Sequence, residues 1–567
     1  MSSRRFCAAS MKTLRKAWPW LAAILSGFLY AACFAPFNLT WFCWIALTPL
    51  IAAIWFSGTE SRRRWLRNLL LGYVAGLTFF WIVFSWLTTV TVLGWFVLAF
   101  YMAIYFAIWA WFCDLVRPRV STKRQSHAAS KWDQMLVQAR SAAPPLAQSP
   151  WIKSTGNLRL AFILAAAWTT LEWLRGWVFS GFGWNGLGVA LHDNWPLIQI
   201  TELTGVAGLS FMVAFVNAIV LTTAYRLVVE ARTRVMRPHF DFTVTMAAIV
   251  GVLVFGLRAT QVSPPTKPLR VAALQSNIPQ NQKFDPEFTR RIFDQFRRLS
   301  EIALRSNPPP DLLVWPESSM PGPVLADQES HKFVMDLAAS SETDLLLGTI
   351  DVAEQDMYNA AVLVSDGGER VQMYRKVHLV PFGEYVPGRH TVPLLARIVG
   401  DQVPGDFKEG KEYTVFTLTN SEVHVAPLIC FEDTIGELTR QFVLPTETSP
   451  GANLLVDVTN DGWFERSAGS HQHLANAIFR CVETRRPMIR AANTGVTCFI
   501  NQFGRITQIL QDDTGSTFTE GVLAGEIKVP TEPELTFYAR HGELFAKACT
   551  AVTAIATLAI FILRRKL

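Results

Sequence analysis

Long apolar runs fill the first 258 residues of the chain and return once near its C-terminus. Each run has about 17–23 residues, which is enough for a helix to cross the hydrocarbon core of a bilayer. The runs lie at 18–35, 41–57, 69–90, 95–116, 159–176, 205–225, 241–258 and 544–563. The pattern therefore predicts an α-helical transmembrane bundle of eight spans.

Between the seventh and eighth runs, short alternating segments typical of β-strands alternate with helical ones. The predicted strands are Leu269–Gln275, Leu312–Trp315, Asp344–Ile350, Tyr358–Ser365, Arg370–Tyr374, Glu422–Ile429, Asn453–Val458, Met488–Ala492 and Val496–Gln502. Helices are predicted at about 286–305, 328–341 and 470–485. This mixture favours a layered α/β domain whose sheets are covered by helices.

The three-proline segment Val262–Pro268 is the predicted linker between the two kinds of structure. We therefore divide the chain into a membrane domain with seven spans (1–258), an extracytoplasmic α/β domain (259–543), and an eighth span with a cytoplasmic tail (544–567). The 117–158 connection is rich in Ser, Ala, Gln and basic residues and is predicted to be a flexible cytoplasmic loop.

Charge divides along the same boundary. Half of the residues are hydrophobic, 17% are charged and the mean hydropathy is +0.24, which excludes a disordered or purely soluble chain. Residues 1–258 carry 23 Lys+Arg against 8 Asp+Glu, and the remainder carries 29 against 37. Basic connections alternate with connections that lack Lys and Arg, so the positive-inside rule puts both termini in the cytoplasm and the α/β domain outside.

Three predicted strands end at side chains with catalytic chemistry. Glu317 follows the Leu313–Trp315 strand end and a proline, Lys376 follows Tyr374-Arg375, and Cys430 ends the Pro427–Ile429 strand. Alone, each has an ordinary explanation: a solvated turn carboxylate, a surface charge, a buried core thiol. Together they supply a base for the thiol, a nucleophile, and an ammonium that stabilises the thiolate and an oxyanion.

The segments Trp-Pro-Glu317, Arg-Lys376 and Ile-Cys430-Phe-Glu432 resemble the Glu-Lys-Cys triad of the nitrilase superfamily. With His378-Leu-Val-Pro-Phe-Gly-Glu384 and the membrane half added, the chain resembles the apolipoprotein N-acyltransferase family. The resemblance implies a nitrilase-like αββα sandwich with Glu317 as general base, Lys376 as oxyanion support and Cys430 as nucleophile.

The same resemblance implies further roles around the triad. Glu384, Glu432 and Phe431 match supporting positions, while Phe284, Phe382 and Tyr385 match a substrate-binding surround. Two of these aromatics depart from the family: Phe431 stands where Tyr is common and Phe284 where Trp is common. Both keep an aromatic surface and concern substrate packing rather than the chemistry.

The implied reaction moves an acyl chain from a membrane phospholipid to the α-amine of a diacylglyceryl-cysteine apolipoprotein. It is a ping-pong transfer through a Cys430 thioester, it uses no cofactor, and it implies a location in the bacterial inner membrane with a periplasmic catalytic domain. A membrane-tethered amidase or nitrilase would use the same triad on a small amide or nitrile. A transporter or polytopic scaffold with a non-catalytic domain would leave the triad without a role.

Several other features have two interpretations. Glu172 and Arg175, three residues apart in the fifth apolar run, are either a structural pair or substrate contacts. His471 and His473 point to different helix faces, so no metal site is predicted. Cys481 and Cys498 are interpreted as two buried thiols, although both lie in an oxidising compartment. The 385–400 segment is either an interfacial lid or an ordinary packed loop.

Overall fold

The computed structural model describes residues 2–57, 63–117, 153–234, 236–283, 285–387, 389, 406–419, 421–447 and 449–565. Most of the 117–158 connection and of the 385–400 segment lie outside these ranges. The predictions of a flexible loop and of a lid therefore stay predictions.

Each predicted apolar run overlaps an α-helix of the structure. Apart from two four-residue helices, Trp195–Ile198 and Thr201–Thr204, the described α-helices of the membrane half are Ser2–Ala31, Thr48–Phe56, Arg64–Val83, Val92–Leu115, Ser154–Arg175, Val206–Thr233 and Phe240–Ala259. Leu544–Arg565 follows the α/β domain. By length and composition, five of these helices are apolar and long enough to cross a membrane: 64–83, 92–115, 206–232, 240–259 and 544–563. The chain therefore has several membrane-spanning candidates, and the total of eight spans stays a prediction.

Two of the predicted spans that are not among these five candidates fall short for reasons visible in their sequences. The 41–57 run is a 3₁₀ turn, Thr40–Trp44, followed by a helix that starts at Thr48. Pro49 lies in the first turn of that helix, the position at which proline is tolerated and upstream helical hydrogen bonding is interrupted. The helix Ser154–Arg175 carries three charged side chains, which lower its hydropathy.

The α/β domain consists of two six-stranded mixed sheets. The first has the order β12-β1-β2-β3-β4-β5 and the second β11-β10-β9-β8-β7-β6. The first five strands are β1 Thr266–Gln275, β2 Leu312–Val314, β3 Asp344–Ala353, β4 Asp356–Ser365 and β5 Arg370–Arg375. The others are β6 Phe416–Thr417, β7 His424–Ile429, β8 Leu454–Thr459, β9 Met488–Ala492, β10 Cys498–Ile500, β11 Ile506–Ile509 and β12 Gly521–Pro530.

Alternation along the strands of the first sheet separates two hydrophobic cores. Val271, Ala273 and Leu346 pack in the core shared with the second sheet, whereas Ala272 and Leu345 face a core formed with outer helices. The domain's helices are Thr289–Leu304, Gln328–Ala339, Gly436–Val443, Gly469–Thr484 and Phe537–His541. Helices thus cover paired sheets, as the resemblance implied.

Three strands were not predicted: β6, β11 and β12. β12 runs antiparallel to β1 over its whole length, from Gly521 opposite Gln275 to Pro530 opposite Thr266. The edge strands β6 and β11 have only two and four residues. Short edge strands carry a weak periodic signal, which explains why the sequence pattern did not predict β6 and β11.

Candidate active site

Cys430 is the first residue after β7 and begins a short 3₁₀ turn, Cys430–Thr434. Its φ angle is +55°, a conformation that non-glycine residues adopt rarely and that occurs often at functional sites. The side chain is a half-buried free thiol. Cys430 therefore lies at the sharp turn where the strand ends.

Glu317 lies beyond the carboxyl end of β2 and is buried. Its Oε1 accepts a hydrogen bond from Asn359 Nδ2 at 2.7 Å. Within the part of the chain that the structure describes, Oε2 is buried and has no hydrogen-bond partner. One carboxylate oxygen is thus fixed in place and the other is free to receive a proton.

Lys376 follows β5 and is fully buried. Its Nζ contacts both carboxylate oxygens of Glu384, at 3.0 and 2.9 Å. Burial alone would lower the pKa of Lys376, but the carboxylate of Glu384, with Cys430 and Glu317 nearby, outweighs burial and raises that pKa. Lys376 is therefore a permanent cation at the site.

The thiol of Cys430 has a pKa well above its ordinary value. Burial is the largest cause, the negative charge of Glu317 adds to it, and the ammonium of Lys376 acts in the opposite direction. The resting residue is consequently a neutral thiol. Nucleophilic attack by a thiol requires loss of its proton, and Glu317 is a neighbouring carboxylate whose Oε2 has no hydrogen-bond partner in the described residues.

Asn359 connects Glu317 to Glu384, the carboxylate that pairs with Lys376. No sequence motif indicated this residue. Its Nδ2 donates to Glu317 Oε1 and, at 2.6 Å, to Glu384 Oε1. The second oxygen of Glu384 accepts a hydrogen bond from the N–H of Val380 at 2.7 Å. The one available sequence signal was a polar residue just before the apolar run of β4, which is weak evidence.

Glu432 joins the lysine segment to the nucleophile turn. Oε1 accepts hydrogen bonds from the Tyr374 hydroxyl (2.8 Å) and the N–H groups of Val377 (2.9 Å) and His378 (3.0 Å). Oε2 accepts the N–H of Ile429 at 3.0 Å. Burial raises the pKa of Glu432 to about 7, although Lys376 and these hydrogen bonds oppose the increase.

The predicted aromatic residues divide into three groups. Phe431 is buried, and its ring is parallel to those of Phe182 and Trp184, with centroid distances of 5.6 and 6.1 Å. Phe382 is 45% exposed, and the hydroxyl of Tyr385 lies 3.0 Å from Ser180 Oγ of the membrane half. Phe284 lies outside the described residues, so its predicted role is unchanged.

Lys283, which the sequence analysis also passed over, is buried beside the triad. Its Nζ donates a hydrogen bond to the backbone oxygen of Glu317 at 2.6 Å. Burial lowers the pKa of Lys283 to about 8, against the opposing influence of Glu317 and Cys430. A second cation therefore lies close to the base and the nucleophile.

Glu172 and Arg175 do not pair with each other in the described part of the chain. Glu172 Oε1 accepts the N–H of Leu187 at 2.6 Å and the Tyr30 hydroxyl at 3.1 Å. Arg175 donates to the backbone oxygen of Trp184 at 3.1 Å. Both charged groups therefore bind backbone atoms of the loop that follows their helix. This is a structural role, but it is not the ion pair that the spacing predicted.

His473 lies between two carboxylates, Asp433 at 2.8 Å and Asp461 at 2.9 Å. Burial would lower the pKa of His473, but Asp433 and Asp461 raise it to about 9, even though Arg490 acts against them. Among the described residues, no group of three or more His, Cys, Asp or Glu side chains forms a metal site.

Cys481 and Cys498 are both buried free thiols.

Comparisons with known proteins cover both halves of the chain. A family model described as the apolipoprotein N-acyltransferase N-terminal domain matches residues 26–219, and a carbon-nitrogen hydrolase model matches residues 270–532. The apolipoprotein N-acyltransferase of Geobacter metallireducens is 33% identical over 565 residues, covering 96% of each chain. That of Bradyrhizobium diazoefficiens is 28% identical over 571 residues, covering 95% of each.

Among solved structures, a CN-hydrolase superfamily protein from Xanthomonas campestris matches at 16% identity and a TM-score of 0.35. That match covers 46% of this chain and 91% of the other.

Proposed function

The chain belongs to the apolipoprotein N-acyltransferase family, and on that premise we propose that it acylates apolipoproteins through a thioester on Cys430. The donor is a membrane phospholipid, and the acceptor is the N-terminal α-amine of a diacylglyceryl-cysteine apolipoprotein. The observation that carries the proposal is the meeting of Glu317, Lys376 and Cys430 in one buried site of a domain tethered to apolar helices.

In the first half-reaction, Glu317 takes the proton of the Cys430 thiol, and the thiolate attacks the ester carbonyl of the phospholipid. The developing oxyanion is stabilised by the ammonium of Lys376 and by a backbone N–H after the nucleophile. The carbon–oxygen bond then breaks, the leaving alkoxide takes the proton from Glu317, and a lysophospholipid departs. Cys430 is left as an acyl thioester.

In the second half-reaction, the α-amine of the apolipoprotein attacks the thioester carbonyl. Such amines have a pKa of about 8, so a substantial neutral fraction exists near neutral pH. Glu317 accepts the proton that the nitrogen loses, and Lys376 again lies near the oxyanion. The carbon–sulfur bond breaks, the thiolate regains a proton, and the product is an amide.

The membrane arrangement that suits this reaction has eight spans, cytoplasmic termini and a periplasmic catalytic domain in the bacterial inner membrane. Support comes from the alternation of basic connections with connections that lack Lys and Arg. A domain tethered at both ends to spans would be held at the outer leaflet, where the acyl chains of both substrates are anchored.

A tethered amidase or nitrilase is the alternative that uses the same three residues. The extensive membrane half argues against it, because a water-soluble substrate needs at most one anchor. The buried contacts between the helix Gly469–Thr484 of the α/β domain and loops of the membrane half argue in the same direction.

An intact-mass measurement tests the proposed function. After incubation with phospholipid, the purified protein should gain the mass of one acyl chain, and hydroxylamine or a diacylglyceryl-cysteine peptide should remove it. Cys430→Ser should show no hydroxylamine-sensitive adduct, whereas Cys549→Ser, which removes a thiol on the last helix, should behave like the wild type. No adduct on the wild type, together with hydrolysis of small amides, would establish the tethered hydrolase instead.

A further inference from the structure

Gln472 is a buried side chain that connects the catalytic domain to three separate loops of the membrane half. Its Oε1 accepts hydrogen bonds from Trp86 Nε1 at 3.2 Å, Trp184 Nε1 at 3.0 Å and Asn185 Nδ2 at 3.0 Å. Its Nε2 donates to the backbone oxygen of Ala35 at 2.8 Å. We call these five residues the Gln472 cluster.

The partners determine how the amide of Gln472 is oriented. The two indole N–H groups can only donate, so they require the oxygen of the amide, and the carbonyl of Ala35 requires its nitrogen. Gln472 is 2% exposed, and Trp184 and Asn185 are 1% and 0% exposed. Removing the amide would leave three buried donors without an acceptor, which is costly in a site closed to water.

The next residue on the same helix, His473, contacts the nucleophile side of the domain. Its two ring nitrogens lie against Asp433 and Asp461, and Asp433 belongs to the turn that begins at Cys430. Adjacent residues on a helix face different directions. This helix therefore contacts the membrane half on one face and the nucleophile turn on another.

Trp184 provides a second connection between the Gln472 cluster and the nucleophile. Its indole donates to Gln472, and its ring lies parallel to that of Phe431, with an interplanar angle of 2°. Phe431 directly follows Cys430 in the chain. The membrane-half loop that carries Trp184 therefore packs against the residue that directly follows the nucleophile.

We propose that Gln472 is a positioning residue that sets the catalytic domain on the membrane half, so that an ester held in the bilayer reaches Cys430. Among the described residues, Gln472 has no contact with the thiol or the triad side chains, so its effect is on how the catalytic domain sits against the membrane half and not on the chemistry at Cys430. The inference rests on the proposed function, because it concerns a donor delivered by the membrane.

The test compares acylation of Cys430 by two esters: a phospholipid in vesicles and the water-soluble p-nitrophenyl acetate. Gln472→Leu removes the amide at similar volume, and Trp86→Phe removes a single N–H donor while keeping an aromatic ring. Gln508→Leu, the same substitution on the edge strand β11, is the matched control. Misplacement by about 1 Å lowers rates on the order of 100-fold, so we expect Gln472→Leu to lose about 10- to 100-fold of the phospholipid rate.

Acylation by p-nitrophenyl acetate should be unchanged in all three variants, because a soluble ester does not depend on alignment with the bilayer. A parallel loss with both esters, or no loss with phospholipid, would overturn the inference. If Gln472→Leu does not fold, Trp86→Phe decides by the same comparison, with a smaller selective loss expected. A wild type that reacts with the soluble ester but never with phospholipid would contradict the proposed function. That outcome differs from those that overturn the role of Gln472, because it concerns the wild type alone.

Discussion

Lys283 differs from Lys376 in the partner that its ammonium group has. Lys376 is paired with the carboxylate of Glu384, whereas Lys283 donates to the backbone oxygen of Glu317 and forms no ion pair in the described residues. An ammonium held by a neutral carbonyl in a buried site loses its proton easily, which is why burial lowers its pKa to about 8. The site therefore has one permanent cation and one that titrates near working pH.

We expect Lys283 to control the alkaline limit of thioester formation. The lysine is charged below pH 8 and neutral above it, so the wild type should lose stabilisation of the thiolate and oxyanion as the pH rises through 8. Lys283→Arg keeps the charge and should move that decline to higher pH. Lys283→Met should lower the rate at neutral pH about 10-fold or more and remove the decline near pH 8.

The measurement is the rate of Cys430 acylation against pH, without acceptor peptide, so that the acceptor amine does not contribute. Lys408→Met, which removes an exposed lysine, is the control. A decline at the same pH in the wild type and in Lys283→Arg would show that another group is responsible.

At the scale of strands and helices, alternating hydrophobicity predicted nine of the strands because their faces are buried on a sheet. The ends of β2 and β7 were predictable for the same reason, since Glu317 and Cys430 each come just after an apolar run, whereas Lys376 follows the mixed segment Arg370–Arg375. The hydrophobic pattern did not indicate Asn359 or Lys283. Their roles depend on hydrogen bonds across strands and loops, which no periodicity encodes.

The sequence pattern also did not predict that β3 passes close to Glu317. Gly348 lies where an added Cβ would be 2.5 Å from the Cα of Glu317, 2.9 Å from the oxygen of Pro316 and 2.9 Å from the nitrogen of Ser318. All three neighbours are backbone atoms that cannot move aside independently. The strand therefore requires glycine at this point if Glu317 is to keep its place.

Gly348→Ala should displace Glu317 and lower both stability and activity. Overpacking of this kind costs about 1–3 kcal/mol of unfolding free energy, and the rate of thioester formation should fall more than stability alone explains, because the base moves away from Cys430. The matched control is Gly251→Ala, where an added Cβ meets nothing within 4 Å. Thermal unfolding and acylation rates of the two variants are the measurements, and a Gly348→Ala protein with normal acylation would contradict this account.

At the scale of the whole molecule, the two halves differ in charge but share buried contacts. Arg485 of the catalytic domain pairs with Glu202 at 2.5 Å, and Glu483 Oε1 accepts the N–H of Val206 at 3.1 Å. Both contacts join the catalytic domain to the membrane half, as the hydrogen bonds of Gln472 do. Neither contact uses a basic side chain of the first half. The excess of Lys and Arg there is instead the pattern expected of connections between membrane spans.

The charge pattern predicts which connections face each side of the membrane, and cysteine labelling in intact cells checks it. Arg234 lies in a basic connection, and Ser263 lies in the linker after the next predicted span. In a Cys430→Ser background, a membrane-impermeant maleimide should label Ser263→Cys from the periplasm, and Arg234→Cys only after the cells are opened, because Lys and Arg are retained on the cytoplasmic side. Both positions are exposed, and the described native thiols other than Cys430 are buried. Labelling in the reverse order would place the catalytic domain in the cytoplasm, where the donor leaflet and acceptor proposed for Cys430 would be out of reach.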